Sequence, residues 1–211
     1  MTLDELALKH GTDKASTGHD YCRHYERYLA PLRNEAFILL ELGVGGELHA
    51  DRGGQSLRMW AEYFPRARII GLDVHLKLLS NLPGNVEIYH GSQDDPDRLA
   101  HILGKEGLPT VVVDDASHHN VLTVRSFELL FPGFLRRGGF YFAEDVHTSY
   151  WRENYAGNPD PQVRSTSMGF FQKLTAQLNH ATLLSEYRDQ YAGQLEYIHF
   201  YPELVVVKKA P

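Results

Sequence analysis

The stretch Val111-Val112-Val113-Asp114-Asp115-Ala116-Ser117-His118-His119 joins a run of β-branched residues to an abrupt polar end. This pattern predicts a buried strand over residues 109–114 that stops at its carboxylates. In open α/β sheets, ligands bind just beyond the carboxyl ends of the strands. A carboxylate and an imidazole three residues apart at that place can share a metal ion, a proton or a substrate hydroxyl.

Two further apolar segments end in the same way. A strand predicted over 36–42 runs into Glu41-Leu42-Gly43-Val44-Gly45-Gly46, and a strand predicted over 139–143 runs into Glu144-Asp145. The carboxyl ends of parallel strands meet at one edge of a sheet, so we expect these polar groups to build an active site.

Strand-like and helix-like segments alternate along the whole chain, which predicts a parallel α/β sheet with helices on both faces. The last two strands, 195–200 and 204–208, are joined too closely for a parallel crossover and must form an antiparallel hairpin. The other predicted elements are strands 67–72 and 86–89 and helices 2–10, 20–30, 96–104, 119–131 and 162–182, with one further helix ending at Pro65. We predict a single domain over 1–211, with a helical cap over 1–33 and a lid loop over 146–161.

Composition excludes several classes of protein. The 211 residues are 43% hydrophobic and carry a net charge of −6, which argues against binding nucleic acid through its phosphates. The single cysteine, Cys22, permits no internal disulfide and fits a reducing compartment. Neither a signal peptide nor a membrane span is indicated, so we expect a cytoplasmic protein with no membrane partner.

The glycine-rich loop after residue 42 predicts a nucleoside site. A dinucleotide fingerprint needs a third glycine where this chain has Leu48, so a longer loop around S-adenosylmethionine fits better than a pyrophosphate cradle. Asp73 follows a strand and can accept bonds from ribose hydroxyls, and Gln93 and Asp94 can meet the adenine. The alternative is that the glycines only turn the chain and Asp73 caps a helix. The candidate cofactor-binding residues are Glu41, Gly43, Gly45, Ser56, Asp73, Gln93, Asp94 and Asp114.

The second group of candidates carries the chemistry. Asp115, Glu144 and Asp145 offer oxygen ligands of the kind that Mg²⁺ prefers, and His118 can take a proton at neutral pH. We therefore name His118, Asp115 and Asp145 as catalytic. The same acids can instead orient His118 or bind sugar hydroxyls without any cation. Because successive residues of a strand face opposite ways, Asp114 is expected to face the core when Asp115 faces the crevice.

Five motifs together resemble the catalytic domain of the mycinamicin-type sugar O-methyltransferases of actinomycetes. They are Glu41-Leu42-Gly43-Val44-Gly45-Gly46, Gly53-Gly54-Gln55-Ser56-Leu57-Arg58-Met59-Trp60, Gly71-Leu72-Asp73, Asp114-Asp115-Ala116-Ser117-His118 and Glu144-Asp145-Val146-His147-Thr148-Ser149-Tyr150-Trp151. The resemblance covers roughly residues 8–152. It implies a Rossmann-like class I methyltransferase fold with a seven-stranded, mostly parallel sheet. It also implies an S-adenosylmethionine site at Glu41, Gly43 and Asp73, and a Mg²⁺ ion held by Asp115, Glu144 and Asp145 with His118 as base.

The acceptor is less clearly indicated. The macrolide enzymes carry an additional domain, so we expect a smaller acceptor for this chain. A basic cluster before the first strand could hold an anionic nucleotide-diphosphate sugar such as UDP-glucuronic acid, and a small glycoside is equally compatible. The cluster comprises Lys9, His10, Lys14, Arg23, His24 and Arg27. The candidate substrate-binding residues are Thr12, Lys14, Tyr25, His119 and Glu144, and a homodimer is expected.

Three other functions are compatible with parts of the pattern. A nicotinamide-dependent sugar oxidoreductase is disfavoured, because the chain has no Tyr-x-x-x-Lys pair and lacks the third fingerprint glycine. A non-catalytic nucleoside-binding module would use the glycine loop alone. A metal-dependent hydrolase would leave Asp73 without a role.

Overall fold

The computed structural model describes all residues, 1–211. Its strands are β1 (Ile38–Leu42), β2 (Arg68–Asp73), β3 (Val86–His90), β4 (Val111–Asp114), β5 (Phe140–Ala143), β6 (Leu195–Tyr201) and β7 (Leu204–Lys209). Its α-helices are α1 (Leu3–His10), α2 (Cys22–Leu29), α3 (Gln55–Tyr63), α4 (Pro96–Glu106), α5 (Asn120–Gly133) and α6 (Ser167–Gln177). The strands form one sheet in the order β3-β2-β1-β4-β5-β7-β6.

This architecture confirms the predicted α/β fold class. The pairs β1–β2, β2–β3 and β4–β5 are parallel, whereas β7 is antiparallel to both β5 and β6. The chain divides into two compact units, Met1–Arg98 and Leu99–Pro211, which we describe separately. The single domain expected from the sequence stays a prediction.

Helix α1 of the first unit is capped at both ends by its own sequence. Thr2 and Glu5 form a reciprocal capping box at the start of α1, and Gly11 ends that helix with a left-handed φ of 73°. Helix α3 then buries its apolar face, with Leu57 and Trp60 fully shielded from solvent. Fixed helix ends and a buried face hold the segment before β1 in place.

The second unit is built around an aromatic core. Phe127 of α5 stacks on Phe131 with ring centroids 4.6 Å apart and meets Tyr141 of β5 edge-on at 4.9 Å. Phe171 of α6 also meets the Phe127 ring edge-on, with ring centroids 5.3 Å apart, and the Tyr191 ring centroid lies 5.5 Å from that of Phe127. Large aromatic areas packed edge to face contribute more than their burial alone, so this core fixes α5 and α6 against β5.

The observed element boundaries differ most from the predicted ones in the segment before α6. The helix predicted over 162–182 begins only at Ser167, because the side chain of Thr166 caps it by accepting from the Gly169 amide. The predicted lid, 146–161, begins with a short 3₁₀ helix, Val146–Tyr150. No helix has both the length and the apolar character needed to cross a bilayer.

Candidate functional site

The loop that follows β1, residues 43–54, contains two glycines with left-handed backbones but different surroundings. Gly46 has a φ of 76°, and a Cβ there would lie 2.3 Å from the Arg52 carbonyl oxygen. Gly45 has a φ of 73°, but a Cβ there would meet nothing within 4 Å. The first glycine is therefore needed by the loop's own packing, whereas the second borders open space in which a ligand could lie against the backbone.

Asp73 at the end of β2 organises this loop. One carboxylate oxygen accepts from the Val44 amide at 2.9 Å, and the other accepts from the His75 amide at 2.7 Å. Each carboxylate oxygen can accept a second hydrogen bond, so Asp73 holds the loop and keeps acceptor capacity for a ligand hydroxyl. The loop, Asp73, Glu41 and Ser56 are called the glycine-loop site below.

Glu41 lies in a fully buried polar group. Its side chain and that of Lys14 have no exposed surface, and Lys14 Nζ lies 3.6 Å from Glu41 Oε1. Ser56 Oγ donates to Glu41 Oε2 at 2.9 Å. A buried carboxylate needs both a counter-ion and hydrogen-bond donors; Lys14 supplies the counter-ion and Ser56 supplies one hydrogen bond.

Four other predicted ligands lie in this unit. Tyr25 is fully buried, edge-on to Trp60 with ring centroids 4.9 Å apart. Both Lys14 and Tyr25 were predicted to bind substrate; both are fully buried, and their substrate contacts stay predictions. Thr12 is nearly buried and bonds to its neighbour Asp13 at 3.4 Å. Gln93 is buried, and Asp94 accepts from Ser92.

The predicted basic cluster is largely neutralised by acids of its own unit. Lys9 Nζ and His10 Nε2 both contact the Glu62 carboxylate, at 2.6 and 2.8 Å. Arg23 contacts Asp20 at 3.1 Å, and Lys14 contacts Glu41 as described. These residues therefore do not form a pocket of unpaired cations that could bind a diphosphate.

In the second unit, three predicted catalytic side chains come together. His118 Nε2 lies 3.4 Å from Asp145 Oδ2 and 3.8 Å from Asp115 Oδ1. The three side chains are only 15–25% exposed. We call these three residues the Asp–His cluster. Its separations exceed those of good hydrogen bonds, so the ring and the carboxylates lie close without being locked together.

Two members of the cluster have strained backbones. His118 has a φ of 53° and Asp145 a φ of 52°, the left-handed region that side-chain-bearing residues rarely adopt. Such conformations persist only where surrounding contacts impose them, and they gather at functional sites. Here the turn after β4 and the turn after β5 each contain one strained residue, and both strained residues face the same small space.

The structure places the remaining candidates elsewhere. Asp114 is buried and accepts from the Tyr141 hydroxyl at 2.7 Å, while burial raises the pKa of Tyr141 well above its usual value. This fits the expectation that it faces the core and argues against a cofactor contact. Glu144 is also buried, and its carboxylate lies outside the group of ligand atoms formed by Asp115, His118 and Asp145, so its roles as a metal ligand and as a substrate contact stay predictions. His119 is the N-cap residue of α5.

The cluster fits a hard divalent cation through its two carboxylates. One ligand atom each from Asp115, His118 and Asp145 lies within 4.8 Å of the other two. Mg²⁺ is commonly held by one or two carboxylates, with water and substrate oxygens completing its shell. An imidazole is a poorer ligand for Mg²⁺, which leaves His118 available for proton transfer.

Sequence reasoning missed two buried polar residues beside the cluster. Thr148 donates to backbone carbonyls of the cluster, and Asn120 bonds to the segment that contains Thr148. Both are almost fully buried. Nothing in their local sequence indicates this, because the partners of Asn120 are 28 to 47 residues away in the chain.

Comparison with known proteins identifies relatives of the whole described chain. It is 39% identical over 213 residues to a tetracenomycin-C rhamnosyl 2'-O-methyltransferase of Streptomyces olivaceus, covering 98% of this chain and 54% of that protein. It is 38% identical over 189 residues to mycinamicin VI 2''-O-methyltransferase of Micromonospora griseorubida, covering 87% of this chain and 46% of that protein. The similarity thus extends beyond the range of 8–152 expected from the motifs. No family model matches the chain.

Comparison with solved structures also finds a methyltransferase of this kind. The MycE methyltransferase of mycinamycin biosynthesis, in complex with Mg, SAH and mycinamycin VI, superposes with a TM-score of 0.91 at 35% identity. That match covers 100% of this chain and 54% of MycE. The sequence resemblance is thereby confirmed: this chain is a homologue of the actinomycete sugar O-methyltransferases, has their class I methyltransferase fold, and spans about half the length of the curated relatives it matches.

Proposed function

We propose that this chain transfers a methyl group from S-adenosylmethionine to a sugar hydroxyl. The observation that carries this proposal is the Asp–His cluster, in which an imidazole and two carboxylates meet on two strained turns. Relatives that are 35–39% identical methylate sugars of glycosylated natural products, according to their names. In a chain with such relatives, this partly exposed cluster of an imidazole and two carboxylates is the proposed chemical centre.

The glycine-loop site is the proposed cofactor site. Open space beside Gly45 and the spare acceptor capacity of Asp73 suit a nucleoside, with the Asp73 carboxylate accepting from ribose hydroxyls. Glu41 and Ser56 form the base of the site beneath the loop. We keep Gly43, Gln93 and Asp94 as further proposed contacts. When bound, S-adenosylmethionine supplies the electrophilic methyl group.

His118 is the proposed general base. A proton taken by its ring gives an imidazolium, and the carboxylates of Asp115 and Asp145 within 3.8 Å stabilise that positive charge. Proton transfer to a positioned base contributes roughly 10²–10⁴-fold in rate. Positioning the acceptor oxygen in line with the methyl group can contribute more, about 7–11 kcal/mol.

Asp115 and Asp145 are the proposed ligands of a Mg²⁺ ion, which when bound would orient the acceptor oxygen and ease its deprotonation. The two carboxylates would then serve the cation and the histidine together. Turnover that is unchanged after exhaustive treatment with a chelator would remove the metal from this proposal and leave His118 as the base.

For the acceptor we favour a glycoside over a nucleotide sugar. Four of the six residues in the basic cluster that could hold a diphosphate are paired with Glu62, Asp20 and Glu41. In the second unit, half-exposed Trp151 packs edge-on against His147 with ring centroids 4.7 Å apart, and His147 Nδ1 lies 3.9 Å from Asp145 Oδ1. An exposed aromatic ring near the cluster suits the apolar face of a sugar or an aglycone. Thr12 and His119 stay proposed substrate contacts.

The test is a methyl-transfer assay with labelled S-adenosylmethionine. Purified protein is incubated with Mg²⁺ and with two acceptor panels, one of rhamnosyl and other deoxysugar glycosides and one of nucleotide-diphosphate sugars. We expect label in the glycoside panel. Label only in the nucleotide-sugar panel would overturn the acceptor class, and no label together with no binding of S-adenosylhomocysteine would overturn the function. The expected homodimer and cytoplasmic location stay predictions.

A further inference from the structure

The two strained residues of the Asp–His cluster share one buried hydroxyl. Thr148 Oγ1 lies 2.8 Å from the His118 carbonyl oxygen and 2.9 Å from the Asp145 carbonyl oxygen. A hydroxyl has a single proton to donate, so the two carbonyls compete for or share it. The side chain of Thr148 therefore connects the turn after β4 to the turn after β5 at two residues with left-handed backbones.

Asn120, the first residue of α5, holds the segment that contains Thr148. Its Nδ2 donates to the Thr148 carbonyl oxygen at 3.3 Å and to the Tyr155 carbonyl oxygen at 2.8 Å. Its Oδ1 accepts from Ser149 Oγ at 3.0 Å and from the Ser167 amide at 2.6 Å. These four bonds use the whole capacity of a carboxamide, and Asn120 is 1% exposed.

The same network closes on the start of α6. Ser149 Oγ lies 2.8 Å from Ser167 Oγ and accepts from the Met168 amide at 2.9 Å. Gly157 then crosses this segment so tightly that a Cβ would lie 2.5 Å from the Thr148 carbonyl oxygen. A buried network with every member bonded is rigid, and its geometry is sensitive to the loss of one group.

We propose that Thr148 and Asn120 are positioning residues of the methyl transfer, a role that rests on the proposed function. The Thr148 hydroxyl fixes the left-handed backbones of His118 and Asp145 and so sets the distance between the imidazole and the carboxylate. Asn120 fixes Thr148 in turn. Neither side chain touches the reacting atoms, because both are enclosed in the network described.

The test compares Thr148→Val, which keeps the side-chain shape, with Thr148→Ser, which keeps the hydroxyl. Ser126→Ala is the control, since it removes another buried hydroxyl of the same unit, which donates to the Leu122 carbonyl oxygen of α5 at 2.9 Å. We expect Thr148→Val to lower kcat roughly 10- to 100-fold with little change in the KM for S-adenosylmethionine, as for a small misplacement of reacting groups. Thr148→Ser should restore most of the turnover, and Ser126→Ala should keep it. An equal loss in the valine and serine variants, or a valine variant within about twofold of the wild type, would overturn the proposal.

Hydrogen exchange gives a readout that does not depend on activity. In Thr148→Val, the peptides that contain residues 115–120 and 145–150 should exchange roughly fivefold faster, as expected for one lost hydrogen bond, while other peptides keep their rates. Unchanged local exchange would contradict the positioning role even if no acceptor is ever found. If the valine variant fails to fold, Ser149→Ala removes a bond one step further from the cluster. It should give a smaller effect of the same kind, and an unaltered kcat and exchange in that variant would count against the network.

Discussion

The glycine-loop site and the Asp–His cluster both gather carboxylates, but they treat them differently. In the first unit, Asp73 and Glu41 are bound by amides, a hydroxyl and an ammonium group at 2.7–3.6 Å, so their positions are fixed before any ligand arrives. In the second unit, His118 stands 3.4 and 3.8 Å from its two acids on strained backbone. The carboxylates of the glycine-loop site are thus held by short hydrogen bonds and a buried counter-ion, whereas the imidazole and carboxylates of the Asp–His cluster lie close together at longer separations. Changes in the first site should therefore affect stability and ligand binding, and changes in the second should affect turnover.

The largest expected effect is that of His118→Ala. Loss of a positioned base should lower kcat roughly 10²–10⁴-fold while leaving the affinity for S-adenosylhomocysteine near that of the wild type. The control is His101→Ala, an exposed histidine of α4. Steady-state kinetics with calorimetric titration measures both quantities. Full turnover by His118→Ala would remove the base from the account and leave only positioning by the carboxylates.

Lys14→Met tests whether the carboxylate of Glu41 in the glycine-loop site is held in place by its buried counter-ion. It leaves the buried Glu41 carboxylate without its counter-ion, which should lower the free energy of unfolding by about 3–5 kcal/mol. The matched control, Lys9→Met, breaks only an exposed pair and should cost less than about 1 kcal/mol. Urea unfolding measures both. Adding Glu41→Gln to Lys14→Met should recover part of the loss, and no recovery would mean that the pair is not what Lys14 stabilises.

Gly46→Ala and Gly45→Ala separate loop packing from ligand space. Both introduce a side chain at positive φ, which costs about 1–2 kcal/mol, but only at position 46 does the Cβ also meet backbone, at 2.3 Å. Gly46→Ala should therefore be the less stable variant, as measured by its thermal midpoint. Gly45→Ala should bind S-adenosylhomocysteine more weakly than its small loss of stability explains. Equal stability of the two variants would show that the contact at Arg52 is relieved without cost.

The smallest effect is expected at Glu62, whose pKa is lowered by its hydrogen bonds to Lys9 and His10. A lowered folded-state pKa means that the stabilisation is present above the unfolded pKa and is lost as the pH falls through the folded value. Glu62→Gln should cost less than about 1 kcal/mol near neutral pH, because the pair is exposed. The urea midpoints of variant and wild type should converge in acid. A difference that persists in acid would assign the effect to packing instead of charge.

Much of this arrangement could be predicted from the sequence. The alternation of apolar and amphipathic segments predicted the positions of the strands along the chain, and the polar residues after two of those strands included all three members of the cluster. Short-range patterns carry this information because strand ends and glycine loops are local features. Asp115 and His118, which are three residues apart in the sequence, are also close in the structure, with Asp115 Oδ1 and His118 Nε2 3.8 Å apart.

Burial and long-range pairing could not be predicted in the same way. Lys14 and Tyr25 were named from the sequence as candidate substrate-binding residues, and nothing in their local pattern indicated that the fold buries both completely. Glu144 and Asp145 are neighbours in the chain, yet only Asp145 reaches the cluster, since its left-handed backbone turns the chain directly after β5. The bonds of Asn120 depend on three segments meeting, which no local pattern encodes.

The division between a site that binds and a cluster that reacts is tested most directly by calorimetric titration of S-adenosylhomocysteine into three proteins. We expect the wild type and His118→Ala to bind alike, and Asp73→Ala, which loses the acceptors for Val44 and His75, to bind much more weakly or not at all. Undiminished binding by Asp73→Ala, or a loss of binding in His118→Ala as large as that in Asp73→Ala, would contradict it.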